Sequence, residues 1–121
     1  MDYKLINPEY LESVTGDEIS IITELVNMFK DQVIEISTEM KSLYDRNEHK
    51  LLGMLAHKAK SSVAIMGMAE LADMLKTFEL SAKASQNTEM YETYINKFYV
   101  DTKAAVSELD DYLSKKQTSG A

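Results

Sequence analysis

The chain has 121 residues, 45% of them hydrophobic, with one proline, four glycines and no cysteine; this describes one domain with one core and excludes a disordered chain, a disulfide framework and cysteine-based zinc or thiolate chemistry. A formal net charge of −7 argues against nucleic acid or an acidic membrane as partner, since both need a cationic field. No apolar run approaches the ~20 residues that span a bilayer, and Met1-Asp2-Tyr3-Lys4-Leu5 lacks the features of a signal peptide, so the expectation is a cytoplasmic protein with no membrane contact.

No β-rich run bounded by turn signals is present, and the expected class is all-α. Asn7-Pro8-Glu9 starts a short helix, with Asn7 as cap and Pro8 in the first turn; Gly16 ends it. Thr15 or Asp17 opens a second helix, with Glu18 completing a capping box if Thr15 is the cap. Its core positions Ile22, Val26, Phe29, Val33, Ile36, Met40 and Leu43 alternate steps of four and three, the seam of a bundle helix. Asp45-Arg46-Asn47 is a tight connection, and Asn47 is placed to cap the next helix.

That third helix, Glu48 to Met66, carries Leu51, Leu52, Leu55, Ala59, Val63 and Met66 on one face, with Ser62 on the same side. Gly67 breaks the pattern. Met68, Leu71, Leu75, Phe78 and Ala82 make a fourth helix, and Ser85-Gln86-Asn87-Thr88 a polar loop. The last helix has Tyr91, Ile95, Phe98, Thr102, Ala105, Leu109 and Tyr112 on one stripe. Short loops make sequential helices antiparallel. The expected architecture is an antiparallel four-helix bundle with a short N-terminal helix, residues 1–115, followed by a polar frayed tail at 116–121.

His57 lies nearly opposite the apolar face of the third helix, at about 100° per residue. On the outward side fall Lys50, Gly53, Met54, Lys60, Ser61 and Ala64, with Lys58 adjoining. Lys60 and Ser61, three and four residues on, are its helical neighbours. A solvated face normally carries Glu, Lys and Gln; this one sets an imidazole and lysines on small or soft residues. It reads as a nucleophile on a docking surface, basic on an acidic protein. If the imidazole attacks phosphorus, Lys60 and Lys58 can pair with the phosphoryl oxygens. Nothing else in the chain supplies a base, a metal site or a nucleotide pocket, so the chemistry needs a second protein.

The run Ala56-His57-Lys58-Ala59-Lys60-Ser61-Ser62-Val63-Ala64-Ile65-Met66-Gly67 resembles the signature of the histidine-containing phosphotransfer (HPt) domain: His, then Lys three on, a small residue four on, Ser or Ala five on and Gly ten on. Val14-Thr15-Gly16-Asp17-Glu18 and Leu71 to Glu79 are also similar to the family. The resemblance implies a stand-alone phosphorelay intermediate with no ATP site and no kinase activity. His57 would take the phosphoryl group from a receiver's phospho-aspartate and pass it to another receiver, with Lys60 as charge partner and Gly67 as a structural position. Receiver domains of hybrid sensor kinases and response regulators would be the partners, and would supply the acidic pocket and divalent metal. No cofactor or metal is expected on this chain, and a monomer is expected. Two departures stand out: Ser61 replaces the usual glycine, and Ala59 the usual leucine. Glu79 and Lys83 match a polar or basic pair that some members carry on the next helix.

The rival from another class is a helical interaction module that uses the same patch without chemistry. His49 competes poorly with His57: Leu52 stands where a lysine is needed, and a surface or capping role is expected. The two histidines are about two turns apart, ~12 Å, too far to share one ion.

Overall fold

The structure, a computed structural model, describes residues 3–119. Helix α1 spans Pro8–Thr15, α2 Ile19–Asp45, α3 His49–Ile65 and α4 Ala69–Lys83; a single 3-10 turn, Thr88–Met90, leads into α5, Tyr91–Ser119. Helices α2 to α5 form the four-helix bundle, with α3 packed most closely on α4, α2 on α5 and α3, and α4 on α5. Every core position named above on α2, α4 and α5 is buried, as are Met66 and Met68. Among the described residues no helix is long and apolar enough to cross a membrane.

One chain-reversal device recurs at the ends of α1, α2, α3 and α4. A residue in the left-handed region (Gly16, Asn47, Gly67 and Ser85) is followed by an amide that reaches back five residues. These bonds run from Asp17 N to Glu12 O, Glu48 N to Leu43 O, Met68 N to Val63 O and Gln86 N to Ser81 O, at 2.9–3.2 Å. Each satisfies a carbonyl that the ending helix leaves open and turns the chain sharply.

That device displaces two expected caps. Thr15 does not open α2: its hydroxyl donates to the Leu11 carbonyl at 2.9 Å, inside α1, and α2 starts after Glu18 with no side-chain cap. The capping box is therefore absent. Asn47 does not cap α3 either, because it is the left-handed turn residue, and α3 begins after Glu48 without a side-chain cap. Asn7 does cap α1, accepting from the Tyr10 amide at 3.2 Å.

The N-terminal segment straps the bundle. Asn7 N donates to the Met66 carbonyl at 3.0 Å, and the Leu5 and Ile6 amides both donate to Glu108 Oε1. Gly67 has φ +76°, and a Cβ there would lie 2.4 Å from Asn7 Cβ. Its bare backbone thus serves both the turn and the strap's close approach. At the other end α5 continues to Ser119, past the frayed tail expected from residue 116. Lys116 is tied down by Asp17 and Glu12, an i-to-j attraction that sequence reading along one helix does not show. Residues 120–121 lie outside the described part.

Candidate functional site

The α3 face differs from the one-stripe expectation. Leu51, assigned to the core, is 46% exposed, while Ala56 is fully buried. Gly53, expected among the docking residues, is buried too. The reason is steric. A Cβ on Gly53 would lie 3.0 Å from the Glu79 carbonyl oxygen and 3.1 Å from the Lys83 amide nitrogen. Small residues at 53 and 56 let α4 press against the backbone of α3, so α3 is buried on a second side that hydrophobic periodicity does not mark.

This close approach has a measurable consequence. Gly→Ala in an open helix interior normally gains up to ~1 kcal/mol. In Gly53→Ala the methyl must push two backbones apart, and overpacking costs roughly 1–3 kcal/mol. We expect a melting temperature no higher than that of the parent. A clear rise would show slack between α3 and α4.

His57 sits on the rim of that contact. Its side chain is 56% exposed, yet its Nδ1 lies 3.0 and 3.1 Å from the two carboxylate oxygens of Glu79. Glu79 comes from α4 and is itself buried, 7% exposed. Lys83 Nζ donates to its Oε2 at 2.6 Å, and Lys60 Nζ stands 3.9 Å from Oε1. The Lys83 hydrogen bond, aided by His57 and opposed by burial, holds the Glu79 carboxyl below the usual carboxylate range. An ionised carboxylate only accepts hydrogen bonds, so the neutral imidazole keeps its proton on Nδ1. Nε2 then carries the lone pair and has no partner among the described residues.

Of the residues singled out in the sequence, Lys60 joins His57 through Glu79. Lys50, Met54, Lys58, Ser61 and Ala64 are all exposed. Ser61 turns its hydroxyl to the His57 carbonyl at 3.4 Å. Lys58 and Ser61 line a shallow groove of about 270 Å³ between α2 and α3, together with Met28, Gln32 and Ile65. Ser62 donates to Gln32 Oε1 at 2.8 Å, fixing α2 against α3 beside the histidine. Met28 at 53% and Ile65 at 40% exposure supply the exposed apolar part of that groove. Helical spacing within α3 gave Met54 and Ala64, but the α2 contribution depends on which face of α2 lies alongside. His49 opens α3, with its ring edge-on to Tyr91 at 5.3 Å.

The family resemblance marks Glu79 only as half of a pair on the next helix. One signal for it exists in the sequence: a carboxylate beside Phe78 and between Leu75 and Ala82, on a stripe that is otherwise apolar. A charge there has to be paired.

A family model for the Hpt domain matches residues 24–116. No curated protein and no solved structure matches the chain. Among the described residues no group of histidine and acidic side chains is placed to hold a metal ion.

Proposed function

The chain belongs to the Hpt domain family, the phosphocarriers of histidine phosphorelays, and on that premise we propose that His57 is the residue that carries the phosphoryl group. The observation that supports this most is the pairing of its Nδ1 with the buried Glu79 carboxylate, while the side chain is over half exposed and Nε2 has no partner among the described residues.

In this reading a receiver's phospho-aspartate is presented over the exposed α3 face. The Nε2 lone pair attacks phosphorus in line, a N–P bond forms, and the P–O bond to the aspartate breaks, returning its carboxylate. The imidazole gains positive charge as it does so, because Nδ1 keeps its proton. Glu79 meets that charge through the hydrogen bond already in place, with no rearrangement at the moment of reaction. Lys60, loosely held at 3.9 Å, is free to turn to the phosphoryl oxygens. Lys83 is committed to Glu79 and keeps it ionised. Transfer onward is the same path reversed, to the aspartate of a second receiver. This chain supplies the nucleophile and its positioning, and the receiver supplies the acidic pocket and the divalent metal; no ATP site is needed here. Receivers of hybrid sensor kinases and of response regulators are the proposed donors and acceptors.

The docking surface in this proposal is Met54, Lys58, Ser61 and Ala64 with Met28 and Ile65 beside them; Lys50 lies two turns away at its edge. Gly53 lies outside it, covered by α4.

Incubation with a phosphate-labelled receiver tests the reading. Label should move to this chain, and it should be lost in acid and survive alkali, as a phosphoramidate does. Binding without label transfer would instead support the interaction module. Ala64→Glu should weaken receiver binding at least tenfold, by bulk and by charge opposite an acidic pocket. Its circular dichroism should be unchanged, since glutamate suits an exposed helix position. Intact binding in that variant would mean that the partner does not approach over this face.

A further inference from the structure

Across the bundle from the α3/α4 contact, the α2/α5 side carries an open groove of about 620 Å³. Its walls are Val33 and Ile34 from α2 and Val106 from α5, with Ile34 68% exposed. The hydroxyls of Thr38 and Thr102 are satisfied by carbonyls of their own helices, Ile34 O at 3.0 Å and Phe98 O at 2.7 Å. Two of the hydroxyls that line the groove are thus already satisfied. Its size falls within the roughly 300–1,000 Å³ range of small-molecule sites, which occur between helices of bundles.

The two ends differ in charge. At one end Lys30 is neutralised by Asp110 at 2.5 Å. At the other, Lys41 and Lys103 stand over the Tyr99 ring, 5.3 and 5.7 Å from its centroid. Among the described residues neither has a carboxylate partner, although the chain holds 20 acidic side chains against 13 basic ones. Both ammonium groups lie against the same ring at that end of the groove, so an anion bound there is attracted by each of them. The eleven residue steps from Lys30 to Lys41 put ~16 Å between the ends, about the reach of an extended medium-length hydrocarbon tail.

We propose that the α2/α5 groove binds a free medium-chain carboxylate, with its head at Lys41 and Lys103 and its tail along Ile34 and Val106 toward the Lys30–Asp110 pair. The site is separate from His57 and does not depend on the phosphotransfer reading.

Dodecanoate, kept below its micelle concentration, is the probe, and backbone amide shifts of the whole chain are the readout. The expected result is saturable one-to-one binding with shifts centred on Ile34, Tyr99 and Val106. Lys41→Glu/Lys103→Glu should raise the Kd at least tenfold, and Val106→Trp, which fills the groove, should do the same without touching the charges. Dodecyltrimethylammonium should not bind saturably. Both variants are checked by thermal melts, and either one, if folded, suffices. Equal binding of the cationic probe, an unchanged Kd in a folded variant, or shifts centred on Met28 and Met54 would overturn the proposal. So would absence of dodecanoate binding, or binding seen only with anionic vesicles or an acidic peptide. Concentration-dependent self-association that occludes these amides would overturn it in favour of a dimer face.

Discussion

His57→Gln should abolish label uptake from a phosphorylated receiver while leaving the melting temperature within a degree or two of the parent. The loss is complete because glutamine offers no nucleophilic lone pair on nitrogen, and His49 stands at the start of α3 beside Ser85 and Tyr91, away from Glu79. The small stability effect follows from exposure: over half of the His57 side chain is in solvent, and such positions contribute little. Glu79 keeps Lys83 at 2.6 Å, so no buried carboxylate is stranded. Measurement of acid-labile label and of thermal melts decides both halves. Residual labelling in His57→Gln would end the assignment of His57, and a silent His49→Gln is the matching control.

Glu79→Gln should slow transfer about 10–100-fold with little change in receiver affinity. Charge-assisted hydrogen bonds contribute roughly 1.5–3 kcal/mol, and a difference of that size in the barrier is that range of rate. The amide oxygen can still accept the Nδ1 proton, so the tautomer survives. What is lost is the negative charge that meets the phosphoimidazolium. Equal losses of rate and affinity would make Glu79 a docking residue instead. The same variant reports on stability. The Glu79 carboxyl titrates lower in the folded chain than its ordinary value of 4.5. Folding therefore favours the ionised form, and the stabilisation is present above about pH 4.5 and lost as pH falls through the lower folded value. The parent should lose melting temperature over that acid interval, and Glu79→Gln should lose less of it. Identical acid profiles would place the ionisation of Glu79 outside the folding balance.

Much of this protein was legible in its sequence because helices bury periodic faces. The stripes of α2, α4 and α5 and the outward place of His57 follow from spacing alone, since apolar groups three and four apart share a face and water drives that face inward. Gly16 and Gly67 likewise announce the turns they make. Spacing along one helix carries no information about what approaches it from another. Gly53 read as an outward position; only the packing of α4, held 3.0 Å from where its Cβ would be, shows it to be a contact surface. Asn47 and Thr15 have the chemistry of caps, and the backbone geometry at the turns assigned them elsewhere. Met28 and Gln32 line a groove with Lys58 and Ser61 because α2 lies beside α3. The decisive case is Glu79. Its carboxylate lies 22 residues from His57 in the chain, and its ionisation, its hold on Nδ1 and its pairing with Lys83 and Lys60 all arise from two helices brought together. The sequence by itself determined that His57 stands outward on α3 with Lys60 and Ser61 as helical neighbours. The tertiary structure decided which of its ring nitrogens is paired, because hydrogen bonds and charge pairing act through space and not along the chain.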